Sequence, residues 1–126
     1  MEENVANKKI TIAVFDDDPD LLEIYRFLLE AEGFMVAAYH NCDEILDKLR
    51  LCQPSLVLMD NWIPSQGGEA AIAQLKADPD LAAIPVILIS ASNDFREVAS
   101  RAGADGAIAK PFDFEQVLRA VADLLK

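Results

Sequence analysis

Four short apolar runs in this chain each stop at a side chain that can do chemistry. Ile10–Phe15 runs into Asp16, Asp17 and Asp18, Leu56–Met59 into Asp60, Val86–Ile89 into Ser90, and Ala107–Ala109 into Lys110. Carboxylates brought within about 4 Å repel by about 4 kcal/mol per pair at an effective dielectric of about 20, so a fold does not gather them for stability. A hard divalent cation, Mg²⁺ (or Mn²⁺), removes that repulsion and takes oxygen ligands from carboxylates and water. The pattern offers no His or Cys beside the acids, so zinc fits poorly. Lys110 supplies a point charge for a carboxylate or a phosphoryl oxygen, and Ser90 supplies a hydroxyl donor. Cation, ammonium and hydroxyl together clamp a transferring phosphoryl group. An Asp carboxylate can itself accept that group as an aspartyl phosphate. Asp60, standing alone at the end of its run, is the acceptor this pattern selects. Asp18, directly before Pro19, reads instead as a helix N-cap.

These groups meet only if their runs are neighbouring strands. In an open α/β sheet, ligands and chemistry collect outside the carboxyl ends of parallel strands. Ile10–Phe15 has the unbroken apolar character of a strand buried on both faces. A first helix follows from Asp18-Pro19-Asp20, with Leu21, Tyr25, Leu28 and Leu29 at helical spacing and Gly33 as its stop. Phe34–Tyr39 reads as a second strand. Asn41 followed by Glu44 resembles a capped helix start, and Ile45, Leu46 and Leu49 stripe that helix. Ser55–Met59 is the third strand, and a loop through Pro64, Gly67 and Gly68 leads to a helix with Ala70, Ile72 and Leu75. Val86–Ile89 is the fourth strand. Phe95, Val98, Ala99 and Ala102 mark a fourth helix closed by Gly103. Ala107–Ala109 is a short fifth strand, and Phe114, Val117, Leu118, Val121, Leu124 and Leu125 stripe the last helix. Five strands alternating with five helices imply right-handed crossovers. The fold class is therefore α/β, a single doubly wound (βα)5 flavodoxin-like domain with a parallel five-stranded sheet in the order 2-1-3-4-5.

Composition narrows the function. A chain of 126 residues, 52% hydrophobic and 26% charged, suits one soluble globular domain. Residues 1–8 read as a polar N-terminal tail and 9–126 as the domain. Eleven basic against 22 acidic residues give a formal charge of −11, which argues against direct nucleic-acid binding, where a basic face is expected. No apolar stretch approaches the roughly 20 residues that span a bilayer, and the polar start is no signal peptide; a cytoplasmic location without membrane contact is the expectation. Cys42 and Cys52 lack CxxC spacing and read as reduced structural thiols. His40, the one histidine, follows the second strand, away from Ser90, and reads as a strand-end residue.

In this light the sequence resembles the receiver domain of two-component response regulators over nearly its whole length. The resemblance rests on Val14-Phe15-Asp16-Asp17-Asp18-Pro19, Leu56-Val57-Leu58-Met59-Asp60, Ile63-Pro64 with Gly67-Gly68, Pro85 through Ser90-Ala91, and Gly103-Ala104-Asp105-Gly106 through Lys110-Pro111-Phe112. It implies that Asp60 is the phosphoacceptor. Asp17 and Asp60 would bind Mg²⁺ directly, Asp16 largely through water, and the Trp62 backbone carbonyl would be a further ligand. Ser90 and Lys110 would hold phosphoryl oxygens, and the Lys110-Pro111 peptide would be cis. The phosphodonor would be a phosphohistidine of a histidine kinase or a histidine phosphotransfer domain. The receiver would be no enzyme toward a free substrate, though it assists its own phosphorylation and dephosphorylation. A downstream protein would be met on the face of the fourth helix, fifth strand and fifth helix.

Three departures stand out. The aromatic residue that the family commonly carries three positions before the Lys is Ala107 here, so its usual inward swing is unavailable. The segment between Ser90 and Gly103 is shorter than in many relatives, and bulky Trp62 borders the acyl phosphate, where it could exclude water. Two alternatives remain open: a phosphate-independent binding adaptor of the same fold, or a small haloacid-dehalogenase-type phosphohydrolase. The second would use Asp16 as its nucleophile, but the DxDxT run is incomplete.

Overall fold

The apolar runs are unbroken because alternate residues of each central strand feed two separate cores. A computed structural model describes residues 10–61 and 67–125; the expected tail and Trp62 fall outside them. In chain order these residues form β1 (Thr11–Phe15), α1 (Pro19–Ala31), β2 (Met35–Tyr39), α2 (Ile45–Cys52), β3 (Leu56–Asp60), α3 (Gly67–Ala77), β4 (Val86–Ser90), α4 (Phe95–Ala102), β5 (Gly106–Ala109) and α5 (Phe114–Leu125). The strands pair in parallel in the order β2-β1-β3-β4-β5, as the sequence predicts.

Ile12, Val14, Leu56, Leu58, Ile87 and Ile89 pack with Tyr25 and Leu29 of α1 and with Val117 and Val121 of α5. Their neighbours Ala13, Phe15, Val57, Met59, Val86 and Leu88 pack with Ile45 and Leu49 of α2, Ile72 and Leu75 of α3, and Val98 and Ala102 of α4. The period-two alternation of a strand thus supplies both layers at once. At the entry edge, Lys76 of α3 donates to the carbonyls of Ala82 and Ile84 at 2.9 and 2.8 Å and pairs with Asp105 at 2.9 Å. Asp105 also accepts the Val86 N–H, so one ion pair fixes where β4 and β5 begin.

Local signals mostly hold. Asp18 caps α1 by accepting the Asp20 and Leu21 N–H groups, with Pro19 in the first turn. Gly33 closes that helix at φ +96°, and Phe34 donates back to the Leu29 carbonyl. Phe34 therefore completes the helix stop, and β2 starts one residue later than predicted. The expected cap at Asn41 is a correction. Its side chain accepts the Asp43 N–H in a local turn and the Lys48 ammonium, and α2 begins only at Ile45, after Glu44 in a left-handed conformation and without a side-chain cap. An Asn can bond its own turn as readily as a helix end. Cys42 and Cys52 form no disulfide, and burial pushes the Cys42 thiol up to about 11.

Gly68 sets how closely α3 approaches the end of β3. A Cβ there would lie 2.5 Å from the Asp60 carbonyl oxygen and 2.7 Å from Asn61 Cα, both backbone atoms that cannot swing aside. Gly68→Ala is expected to destabilise the domain by about 1–3 kcal/mol, as overpacking does, measured as a lower urea midpoint with an unchanged m-value.

Candidate functional site

Strand register brings the reactive side chains to one edge. Phe15 pairs with Met59, so Asp16 and Asp60 emerge level with each other. Three backbone hydrogen bonds carry the ladder to its end: Asp16 N–H to the Tyr39 carbonyl at 3.1 Å, Asn61 N–H to Ile89 at 3.0 Å, and Lys110 N–H to Ser90 at 2.9 Å. The edge is therefore held by sheet hydrogen bonding rather than by loops.

Asp16, Asp17 and Asp60 bring carboxylate oxygens within 4.8 Å of one another. Asp16 and Asp60 are buried, at 1% and 2% exposure, while Asp17 faces solvent. Lys110 Nζ reaches Asp60 Oδ2 at 2.7 Å. The Lys110-Pro111 peptide is cis. Ser90 is fully buried at the end of β4, and its hydroxyl oxygen accepts the Ser92 N–H at 3.1 Å. Asp16 Oδ1 accepts the Asp18 N–H at 3.0 Å, but Asp16 Oδ2 is buried with no hydrogen-bond donor. Burial lifts the Asp16 carboxyl from 3.8 to about 7; the Asp18 N–H lowers it, the neighbouring Asp60 raises it further, and Lys110 opposes that. A buried carboxylate oxygen lacking a donor, beside two further carboxylates and no His or Cys, fits a hard divalent cation.

The structure thus gathers Asp16, Asp17 and Asp60 at one point, sets Lys110 against Asp60, and puts Ser90 on the adjoining strand. Trp62, expected to lend its carbonyl, lies outside the described residues. Asp18 is a cap, and His40 is exposed at the end of β2, the edge strand away from β4.

Two supports were not legible in the sequence. Asn61 Oδ1 accepts the Glu69 N–H at 3.1 Å, capping α3 and tying that helix to the residue after Asp60. Glu69 in turn holds Arg101 of α4 through two contacts, at 2.6 and 3.2 Å. The first departure has a visible consequence: Ala107 lines an open cavity of about 340 Å³ with Phe95, Arg96, Gln116 and Arg119, between α4 and α5.

Comparison with known proteins bears on the fold and the family. The family described as the response regulator receiver domain matches residues 12–122. The DNA-binding response regulator MtrA of Mycolicibacterium smegmatis is 32% identical over 112 residues, which cover 87% of this chain and 48% of that protein. The chain thus spans about half the length of that relative. An uncharacterised 14.6 kDa protein of Leptolyngbya boryana is 32% identical over 115 residues, covering 90% of this chain and 88% of its own length. Among solved structures, the signal receiver domain of a signal transduction histidine kinase from Syntrophus aciditrophicus superposes with a TM-score of 0.84 at 32% identity, covering 91% of this chain and 89% of that one.

The raised Asp16 carboxyl has a pH signature in the metal-free chain. Folded, it keeps its proton up to about pH 7; unfolded, it loses it near its ordinary value of 3.8. Within that window the folded state binds the extra proton, so this group's contribution makes stability fall as pH rises. Denaturant midpoints in EDTA are expected to fall from about pH 4 to about pH 7 and to level off above it, and Asp16→Asn to flatten the fall. Mg²⁺ should restore more stability at the higher pH; an equal gain at both would contradict this account.

Proposed function

The chain belongs to the response regulator receiver domain family, and we propose that it accepts a phosphoryl group on Asp60, assisted by a divalent cation held at Asp16, Asp17 and Asp60. The observation that carries this reading is Asp60 itself: a buried carboxylate flanked on one side by two more acids and on the other by the Lys110 ammonium at 2.7 Å. No stability argument accounts for that arrangement, and phosphoryl chemistry does.

In this mechanism an Asp60 oxygen attacks the phosphorus of a phosphohistidine. The new O–P bond forms as the N–P bond breaks, and its electron pair returns to the imidazole. Bound Mg²⁺ or Mn²⁺ would neutralise charge on the phosphoryl oxygens. Lys110 transfers its contact from the Asp60 carboxylate to a phosphoryl oxygen, and the Ser90 hydroxyl donates to another. Asp17, the solvent-facing acid, and Asp60 would bind the cation directly, while the N–H of Asp18 holds Asp16 in place. By resemblance to the family, the Trp62 backbone carbonyl would be a further ligand.

The donor is a histidine kinase or a histidine phosphotransfer domain, and output passes by protein contact through the α4–β5–α5 face. The cavity at Ala107, lined by Arg96 and Arg119, gives that face a recess for a partner's side chain. The charge of −11 supports protein rather than nucleic-acid contact. No helix among the described residues is long and apolar enough to cross a membrane.

Incubation with acetyl phosphate and Mg²⁺, followed by intact mass measurement, is expected to add one phosphoryl group to the wild type. Asp60→Ala and EDTA-treated samples should gain none; equal labelling of Asp60→Ala would remove Asp60 from the role. Beryllofluoride with Mg²⁺ should shift amide resonances in α4 and β5 as well as at the site. Shifts confined to the site would mean that the α4–β5–α5 face carries no signal and would favour a phosphate-independent adaptor.

A further inference from the structure

Two buried side-chain atoms among the described residues lack a hydrogen-bond partner: Asp16 Oδ2 and the Tyr25 hydroxyl. One accepts and the other can donate. Leaving a buried polar group unsatisfied is unfavourable, and two such complementary atoms in one small domain call for a common cause.

Their placement supplies one. Helical side chains lean back toward the helix N-terminus, and α1 starts at Pro19, just beyond Asp16. Tyr25 lies about two turns into that helix, so its side chain runs back toward the edge that carries the acids. The ring is 1% exposed and is fixed on its other side by Phe112, stacked at 6.4 Å, and Phe114, edge-on at 5.4 Å. Phe112 follows Lys110 and Pro111 directly, so the ring is wedged between α1 and the segment that delivers Lys110. Burial raises the Tyr25 phenol above its ordinary range, and the charges of Asp16 and Asp60 raise it further. The hydroxyl therefore keeps its proton and meets the carboxylates as a donor.

We propose that Tyr25 is a positioning residue for the acidic centre: with a divalent cation bound, its hydroxyl donates across one buried water to the Asp16 carboxylate and so holds it toward the cation. The inference rests on the proposed cation site at Asp16, Asp17 and Asp60. A carboxylate oxygen offers two lone-pair directions, so Asp16 Oδ2 can face both a cation and a donor. Hydrogen bonds of this kind hold metal ligands in orientation, and losing one weakens metal binding by about 10- to 100-fold. Tyr25 touches no reacting atom.

Calorimetric titration of Mg²⁺ into the wild type, Tyr25→Phe and Tyr39→Phe tests this. Tyr25→Phe keeps the ring and removes only the hydroxyl. It should bind Mg²⁺ about tenfold more weakly, with metal-free stability in urea unchanged or raised, because an unpaired buried group is gone. Tyr39, whose hydroxyl lies beside the Cys52 thiol, serves as the control, and Tyr39→Phe should keep wild-type affinity. Equal Mg²⁺ affinity in Tyr25→Phe and wild type overturns the proposal while leaving the cation site standing. A wild type that takes up no Mg²⁺ overturns both. The two tyrosines, labelled at Cζ in the wild type, give a reading that needs no variant. Mg²⁺ should move the Tyr25 signal and leave Tyr39 in place, and a stationary Tyr25 signal overturns the proposal.

Discussion

Three carboxylates within 4.8 Å of one another are the constraint around which the rest of this molecule is organised. Left alone, such a cluster would push β1 and β3 apart at their ends. The chain holds it with fixed counter-groups. Lys110 arrives from the far side of the sheet to meet Asp60, the Asp18 N–H takes one oxygen of Asp16, and burial leaves Asp16 protonated into the neutral range. Each offset is partial. Lys110 neutralises one charge, and a proton on Asp16 can be displaced. Incomplete compensation is what lets the edge take up further positive charge, so the instability and the binding capacity are one property.

Holding a repulsive cluster requires a backbone that does not yield. The ladder hydrogen bonds at Asp16, Asn61 and Lys110 provide it, and each falls one residue beyond or at a strand end, where chemistry and scaffold meet. Asn61 then connects that edge to α3, whose first turn lies against the Asp60 carbonyl because Gly68 has no Cβ. Glu69 extends the connection to α4. At the opposite edge Lys76 and Asp105 fix the strand entries. The sheet is pinned at both ends, and displacement at the acidic edge has short, defined routes outward.

What the sequence reveals follows from the range of the forces involved. Strand runs, strand order and the strand-end residues are legible because burial on both faces writes itself into consecutive residues, and a parallel crossover has one hand. The Asp18 cap is legible because its acceptor and donors are neighbours in the chain. Asn41 misleads for the same reason: a local cap and a local turn use the same residue type at nearly the same spacing, and only packing around Ile45 decides between them. Asn61 is illegible because its partner lies eight residues on, outside the spacing of a local cap. Tyr25 reads from periodicity as one more core residue, and nothing in the spacing reports that its hydroxyl stays unpaired inside the core. Ala107 is legible as a missing ring, but the cavity beside it depends on where Arg96 and Arg119 come to rest.

The distribution of aromatic mass around Lys110 bears on how the site can communicate. On the α4 side, Ala107 offers a methyl group and an open cavity, so a movement of Lys110 or Ser90 meets less resistance there and transmits less force than through a packed ring. On the α1–α5 side, Phe112, Tyr25 and Phe114 form a closed set of ring contacts at 5.4 to 6.4 Å. Close-packed rings transmit displacement because they have no void to absorb it. A shift of Lys110 away from Asp60 therefore acts first on Phe112 and, through Tyr25, on α1. For the α4 side to respond equally, a partner's side chain must occupy the cavity at Ala107. If Asp60 takes the phosphoryl group as proposed, output on that face would strengthen when a partner is bound.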